Sequence, residues 1–267
     1  MNFKMLFPSY RNRFLFIKNH LKNIDLKNKN LLNIGCGEGD YDPHLAKYVR
    51  EIHSIDVNQD DLNFAQVSNA SFKNICYQKA SAMDLPFEDA SFDVIISVDT
   101  LEHVGEPEKM LQEISRVVRP DGKVYLTFPT FDFPITYDPI NFFRQKKGLQ
   151  PIKAGAYAFN HIDLPKESEV NNWLTKAGLK LVKKEKLSGW LIGLLEMYWT
   201  GWIQSTFKAN ASNMEDPQKP KKGIRSGYKI PRGVFLTDLV LLLDNMVSIN
   251  SKRSVGVGLI LKKNNSN

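Results

Sequence analysis

Between residues 30 and 129, short apolar runs alternate with stretches whose apolar residues recur every three or four positions. The runs at 31–34, 52–56, 74–78 and 92–98 have strand length, and Val94, Ile95 and Ile96 make the last of them continuously apolar. Segments 42–49 and 60–68 carry helical spacing, and 107–118 groups Met110, Leu111, Ile114, Val117 and Val118 on one helical face. Pro120-Asp121-Gly122 has turn chemistry and predicts a stop, after which 123–128 resumes as a strand. Strands alternating with helices at these lengths form right-handed βαβ units, so the pattern predicts a parallel sheet covered on both faces.

Beyond Pro129 the regularity fades. Residues 130–157 are rich in proline, phenylalanine and glycine and predict a loop or lid. A helix over 166–177 stops at Gly178, and strands follow at 179–187 and 255–262. The region 188–253 between those two strands stands outside the alternation. Its first apolar stretch, 190–207, sets Trp190, Leu191, Leu194, Leu195, Tyr198, Trp199 and Trp202 on one helical face. Its second, 234–247, groups Phe235, Leu239, Leu242, Leu243 and Met246 opposite Asp238, Asp244 and Asn245. A spanning helix needs about 20 mostly apolar residues, and the polar stripe of the first stretch argues against spanning. Two such helices joined by a basic linker can lie in a membrane interface, pack on each other, or close over a substrate pocket. The organisation expected is an N-terminal helical segment (1–29), a main domain (30–187 and 254–267), and a helical insertion with a basic linker (188–253).

Composition narrows the setting. A chain of 267 residues with 42% hydrophobic and 24% charged residues suits one large globular domain or a domain with an insertion. Two cysteines, Cys36 and Cys76, offer neither a disulfide framework nor a zinc site, and no continuous apolar run precedes Arg11 and Arg13. A cytoplasmic protein is therefore expected, peripheral at the membrane if the insertion touches lipid. The net charge of +7 is concentrated at Lys208, Lys219, Lys221, Lys222, Arg225, Lys229 and Arg232, against Glu215 and Asp216 alone. That cluster suits an anionic membrane surface or an ordinary solvated loop. It lacks the interleaved aromatic residues of a single-strand nucleic-acid site, which argues against nucleic acid as partner.

The candidate chemistry begins at Gly35-Cys36-Gly37-Glu38-Gly39, between the first strand and the helical segment after it. Strand, glycine turn and helix N-terminus make a cradle in which a ligand lies against bare backbone. A dinucleotide fingerprint has the spacing G-x-G-x-x-G, and here Gly39 comes one residue early, so the turn suits a ligand other than a pyrophosphate. Asp56 ends the second strand, at the position from which a carboxylate accepts both hydroxyls of a ribose. Asp84 follows the third strand, where it can accept an exocyclic amine while Met83 flanks a flat base. A nicotinamide-dependent oxidoreductase is the competing enzyme class, and a non-catalytic membrane-associated module the non-enzymatic one.

The series Leu31 to Asp40, Ile55-Asp56-Val57-Asn58, Met83-Asp84-Leu85-Pro86-Phe87, Ser91-Phe92-Asp93-Val94-Ile95-Ile96, Leu101-Glu102-His103-Val104 and Arg116-Val117-Val118-Arg119-Pro120-Asp121-Gly122-Lys123 resembles the successive motifs of class I S-adenosylmethionine-dependent methyltransferases, in their small-molecule branch. The resemblance is close over 30–129 and weaker over 161–187 and 255–262. It implies a doubly wound, mostly parallel seven-stranded α/β sheet with a terminal antiparallel strand, and a helical insertion between the last two strands. It implies S-adenosylmethionine as cofactor, with Gly35, Gly37 and Gly39 lining its methionine portion, Asp56 on the ribose, and Met83 with Asp84 at the adenine. Asn33 departs from the family, which has an acid there. The acceptor implied is a small molecule, a lipid or a glycan precursor. For an oxygen or acidic carbon nucleophile a general base helps, and His103, just past the fourth strand, and His161, before the last helix, are the candidates. His20, His44 and His53 are expected to be surface or structural residues, and no metal-ligand spacing occurs.

Overall fold

A computed structural model of the chain describes residues 1–22, 24–132, 139–150, 164–195 and 227–264. Seven strands form one sheet in the order β3-β2-β1-β4-β5-β7-β6. They are β1 (Asn30–Ile34), β2 (Glu51–Asp56), β3 (Ile75–Lys79), β4 (Phe92–Val98), β5 (Val118–Pro129), β6 (Leu179–Leu187) and β7 (Gly256–Lys263). The first five pair in parallel, with Leu32 opposite both His53 and Ile95, and the sheet becomes mixed through its antiparallel terminal strand. The expected α/β sheet is therefore observed.

Residue character explains the strand order. β1 and β4 lie at the centre, and Leu31, Leu32, Ile34, Ile95 and Ile96 are wholly buried, as a strand covered on both faces requires. β6, at one edge, reads Leu-Lys-Leu-Val-Lys-Lys-Glu-Lys-Leu and is exposed over most of its length; its lysines discourage pairing with another chain. Helix α4 (Pro107–Val117) opens on a proline and buries Met110, Leu111, Ile114 and Val117 along one face. Helix α3 (Gln59–Ser68) is capped by Asn58, whose side chain accepts the Asp60 N–H at 3.0 Å.

Two expectations are corrected in detail. The helix expected over 42–49 is a single turn, α2 (Asp42–Leu45), because the chain must leave the helix to enter β2 at Glu51. The stop expected at Pro120-Asp121-Gly122 is a bulge inside β5. Phe92 pairs with Val118 and Val94 with Lys123, so residues 119–122 loop out opposite Asp93 alone. Asp93 fastens this irregular end of the sheet. Its carboxylate accepts Asn30 N–H at 2.9 Å, Lys29 Nζ at 3.0 Å and Arg119 at 2.9 Å.

The chain divides into two compact units. One comprises Arg13–Phe128, Ser168–Glu185 and Gly258–Asn267, and the other Met1–Asn12, Pro129–Glu167 and Lys186–Val257. In the first, the later part of helix α1 (Pro8–Leu21) sets Phe16 edge-on to Tyr125 at 6.5 Å, and Gly258 leaves room for that ring. The second holds helices α5 (Pro139–Lys146), α7 (Trp190–Leu195) and α8 (Val234–Val247); α5 falls within the stretch expected to be a loop or lid. Helix α6 (Glu167–Lys176) precedes β6 and ends at Gly178, whose φ is +68°. Of the helix expected over 190–207, residues 196–207 lie outside the described residues, as does most of the basic linker.

Asp93 generates a stability prediction. Burial alone would raise its carboxyl, but the bonds from Asn30, Lys29 and Arg119 outweigh this and hold it below the ordinary carboxylate value. A folded value below the unfolded one stabilises the protein above about pH 4, and that contribution is lost as pH falls through the folded value. Asp93→Asn is expected to cost about 1–3 kcal/mol in urea unfolding at pH 7, with the difference from wild type shrinking below about pH 4.

Candidate functional site

The carboxyl ends of β1, β2, β3 and β4 are neighbours in the sheet, and in open α/β sheets ligands bind at this edge. The glycine turn leaves β1 there. Gly35, Gly37 and Gly39 have φ of +71°, +51° and +69°, a region that side chains with a Cβ adopt at a cost. Two of them also meet close neighbours. A Cβ on Gly35 would lie 2.2 Å from Thr100 Oγ1, and one on Gly39 would lie 2.6 Å from the Tyr77 hydroxyl. Gly37 differs, because a Cβ there would meet nothing within 4 Å. The outer side of the turn at Gly37 is open, so backbone can be approached by a ligand.

The neighbouring strands hold this turn. Gly35 N–H and Cys36 N–H both donate to Ile55 O, at 2.9 and 3.0 Å. Asp56 Oδ2 accepts Gly37 N–H at 2.8 Å, and Asp56 Oδ1 accepts Asn58 N–H at 2.9 Å. Burial raises the Asp56 carboxyl while those two backbone N–H groups oppose the shift. Each oxygen keeps a further lone pair, so the carboxylate can accept two more donors. From the other side, Thr100 Oγ1 donates to Ile34 O at 3.2 Å.

Asn33 finds its explanation beneath the turn. Its Nδ2 donates to Asp42 Oδ1 at 2.7 Å, and Asp42 is fully buried. Burial pushes the Asp42 carboxyl up, against the hydrogen bond from Asn33. An acid at position 33 would set a second carboxylate against it, whereas the amide supplies a donor.

Asp84 ends its turn exposed, with Met83 half-buried beside it. Asp84 N–H donates to Ser81 O at 3.2 Å, and Met83 N–H donates to Ser81 Oγ at 3.2 Å. The segment after it is clamped by α4. Glu113 accepts Leu85 N–H at 2.8 Å, and Arg116 donates to Leu85 O at 2.9 Å and Phe87 O at 2.7 Å. Arg116 Nη2 and Glu113 Oε2 are also paired at 2.7 Å. Both residues lie in the amphipathic 107–118 stretch, but nothing in its spacing says that they reach back to residues 85–87.

Past β4 the chain makes a strained corner. Asp99 has φ of +50°, uncommon for a residue with a Cβ. Its N–H donates to Thr127 O at 3.0 Å, its Oδ1 accepts Thr127 Oγ1–H at 2.9 Å, and its other oxygen pairs with Arg13 of α1. The sequence offered a signal for Asp99, an acid at a strand's carboxyl end, but none for Arg13. After the corner, a short 3₁₀ turn (Leu101–His103) carries Glu102 and His103. Burial pushes the Glu102 carboxyl up, and the Asp99 charge adds to this. Burial pulls the His103 imidazole below its ordinary value, against the Asp99 charge, so His103 is neutral at pH 7. His103 Nε2 lies 3.8 Å from Glu102 Oε1, beyond hydrogen-bond reach. A neutral imidazole at this edge can accept a proton.

The other histidines take structural positions. His20 bonds to Glu185 at 2.8 Å, His44 stands edge-on to Phe14 at 4.9 Å, and His53 lies edge-on to Phe87 and Phe92. His161 lies outside the described residues, and among the described residues no group of three or more His, Cys, Asp or Glu is arranged to hold a metal ion. The edge thus brings together the glycine turn, Asp56, Asp84 and His103 of the expected residues, and adds Asp99, Glu102 and Arg13. The open backbone at Gly37, the carboxylate ending β2 and the Asp84 carboxylate in the turn after β3 fit a nucleoside with a short polar tail.

Comparison with known proteins points the same way. The methyltransferase domain family matches residues 32–126. A ubiquinone biosynthesis O-methyltransferase of Colwellia psychrerythraea is 28% identical over 191 residues, covering 68% of this chain and 76% of that protein. A ubiquinone/menaquinone biosynthesis C-methyltransferase of Rickettsia bellii is 29% identical over 216 residues, covering 74% and 86%. In fold the chain is similar to the crystal structure of an S-adenosylmethionine-dependent methyltransferase from Aquifex aeolicus, with a TM-score of 0.51 and 23% identity over 67% of this chain and 87% of that one. These matches favour methyl transfer over the competing oxidoreductase reading. The family match starts inside β1 and ends inside β5, so it spans the strands whose ends build this edge. Residues 32–126 match the methyltransferase domain family, and the relatives and the shared fold support a class I S-adenosylmethionine-dependent methyltransferase.

Proposed function

We propose that the edge formed by β1, β2 and β3 holds S-adenosylmethionine through Gly35, Gly37, Gly39, Asp56, Met83 and Asp84, and that the acceptor is a lipid-soluble small molecule. The observation that carries the cofactor assignment is the bond between Asp56 and Gly37 N–H at 2.8 Å, which sets a carboxylate beside the open side of the glycine turn. In this assignment Asp56 uses its remaining lone pairs on the ribose hydroxyls, Asp84 accepts the adenine amine, and Met83 flanks the base. When bound, the cofactor supplies an electrophilic methyl carbon on its sulfonium. The chain's own contribution is position: a rigid, hydrogen-bonded turn and a neutral base, with no covalent intermediate needed. His103 takes the proton of an oxygen or acidic carbon nucleophile through an imidazole that burial keeps unprotonated. His161 is a second candidate for the base.

The names of the two relatives quoted above support a small-molecule acceptor of quinone type, which is poorly soluble in water and is met at a membrane. A glycan precursor carried on lipid has the same physical character. Labelled methyl transfer into a lysate separated into lipid, nucleic-acid and water-soluble fractions tests this, with label expected in the lipid fraction. Label confined to nucleic acid would overturn the acceptor assignment.

Two substitutions test the site. Asp56→Ala is expected to weaken S-adenosylmethionine binding about a hundredfold in calorimetry, since two charge-assisted hydrogen bonds are lost. Unchanged affinity, or tight NAD binding in its place, would remove the assignment. His103→Gln is expected to lower kcat about a hundredfold with cofactor affinity unchanged. The acidic limb of the wild-type kcat profile should fall below the ordinary histidine value of about 6.5, because protonation of a buried imidazole is disfavoured. A kcat indifferent to the substitution would exclude His103 as the base.

A further inference from the structure

Helix α8 is amphipathic with its faces reversed. Phe235, Leu239, Leu242, Leu243 and Met246, which the heptad pattern groups together, are exposed by 65%, 51%, 57%, 46% and 65%. Val247 and Ile249 extend the apolar stripe, at 67% and 73% exposed. Of the polar residues, Thr237 and Asp244 are buried, Asp238 is half-exposed and Asn245 is exposed. Asp244 is buried and receives the N–H groups of Gly189, Leu191 and Ile192 at 2.5, 2.9 and 3.1 Å, so it caps the N-terminus of α7 from a different helix. Ser248 Oγ accepts Trp190 N–H at 2.9 Å. Asp238 pairs with Arg11 through both oxygens, at 2.8 and 3.0 Å, and Thr237 donates to Leu6 O at 3.2 Å. Lys186 closes the far end by donating to Ser251 O at 2.5 Å and Ser248 O at 3.4 Å.

We propose that the outer face of α8 docks on an anionic membrane surface, lying in the interface plane. Three observations select this occupant. First, both carboxylates of the helix lie off the apolar stripe and are engaged, Asp244 buried against α7 and Asp238 half-exposed but paired with Arg11. Second, exposed cations flank both ends: Lys229 and Arg232 before the helix, Lys252 and Arg253 after it. Third, a 14-residue helix is about 21 Å long, and no helix of the described residues is long and apolar enough to cross a membrane. An apolar stripe with basic ends and too little length to span is the signature of an interfacial helix. A two-fold contact between copies suits the stripe less well, because antiparallel packing of two such helices sets the basic ends of one against those of the other. The surface lies in a different unit from the cofactor-binding edge, and the inference does not depend on that edge.

The test is co-sedimentation of the full chain with vesicles of phosphatidylcholine alone or mixed with phosphatidylglycerol. Binding is expected to the mixed vesicles, weakened by salt, and the double variant Leu239→Glu/Leu243→Glu should lower the apparent affinity at least about tenfold. S-adenosylmethionine affinity and melting temperature should match wild type, which shows that the variant folds. Absence of vesicle binding by wild type, or equal binding by the variant, would overturn the proposal. So would a melting temperature lowered by several degrees, which would mean that the chain itself covers the face. A solution dimer that the same substitutions dissolve would assign the face to a second copy instead.

Discussion

Three hydrogen bonds tie the glycine turn to the second strand, from Gly35 and Cys36 N–H to Ile55 O and from Gly37 N–H to Asp56, and the geometry of the sheet's carboxyl edge depends on them. The turn of three positive-φ residues has one internal backbone bond, Gly39 N–H to Cys36 O at 2.9 Å, and the rest of its shape is imposed by its neighbours. β2 imposes it through Ile55 O and Asp56, and β4 imposes it through Thr100, which sits where a side chain on Gly35 would have to go. Both neighbours are parallel partners of β1, so the sheet register that buries the core also sets the turn. Packing and site are one constraint here.

The two ends of the sheet treat charge differently. At the irregular end Asp93 is surrounded by donors and stays ionised, which stabilises the fold. At the carboxyl edge of the sheet, Glu102 and Asp42 are buried, and burial raises both carboxyls above their ordinary values. Asp99 holds a strained backbone there against Arg13 and Thr127. Such arrangements cost stability and persist because the surrounding structure over-determines them, which is common where a protein binds and reacts.

Much of this was legible from pattern alone. The apolar runs at 31–34 and 92–98 pointed to strands of a sheet covered on both faces, and the glycine spacing argued against a pyrophosphate turn. Asp56 and Asp84 were legible because a strand's carboxyl end is a position that sequence order reveals. Arg13, Glu113 and Arg116 were not, because each acts on residues far along the chain, and no local period records a long-range contact. The one-turn length of α2 escaped for a similar reason: residues 46–49 have helical spacing, but the route into β2 ends the helix first.

The sequence by itself determined the alternation of elements, the order of the site-bearing turns and the membership of each helical face, because these follow from local periodicity and from backbone limits on glycine and proline. Only the tertiary structure decided which way those faces turn. For α8 the pattern grouped Leu239, Leu243 and Met246, yet the fold points them at solvent and spends Asp244 on capping α7. Whether a polar stripe faces water or another helix's unsatisfied N–H groups depends on what packs beside it, and periodicity carries no record of that.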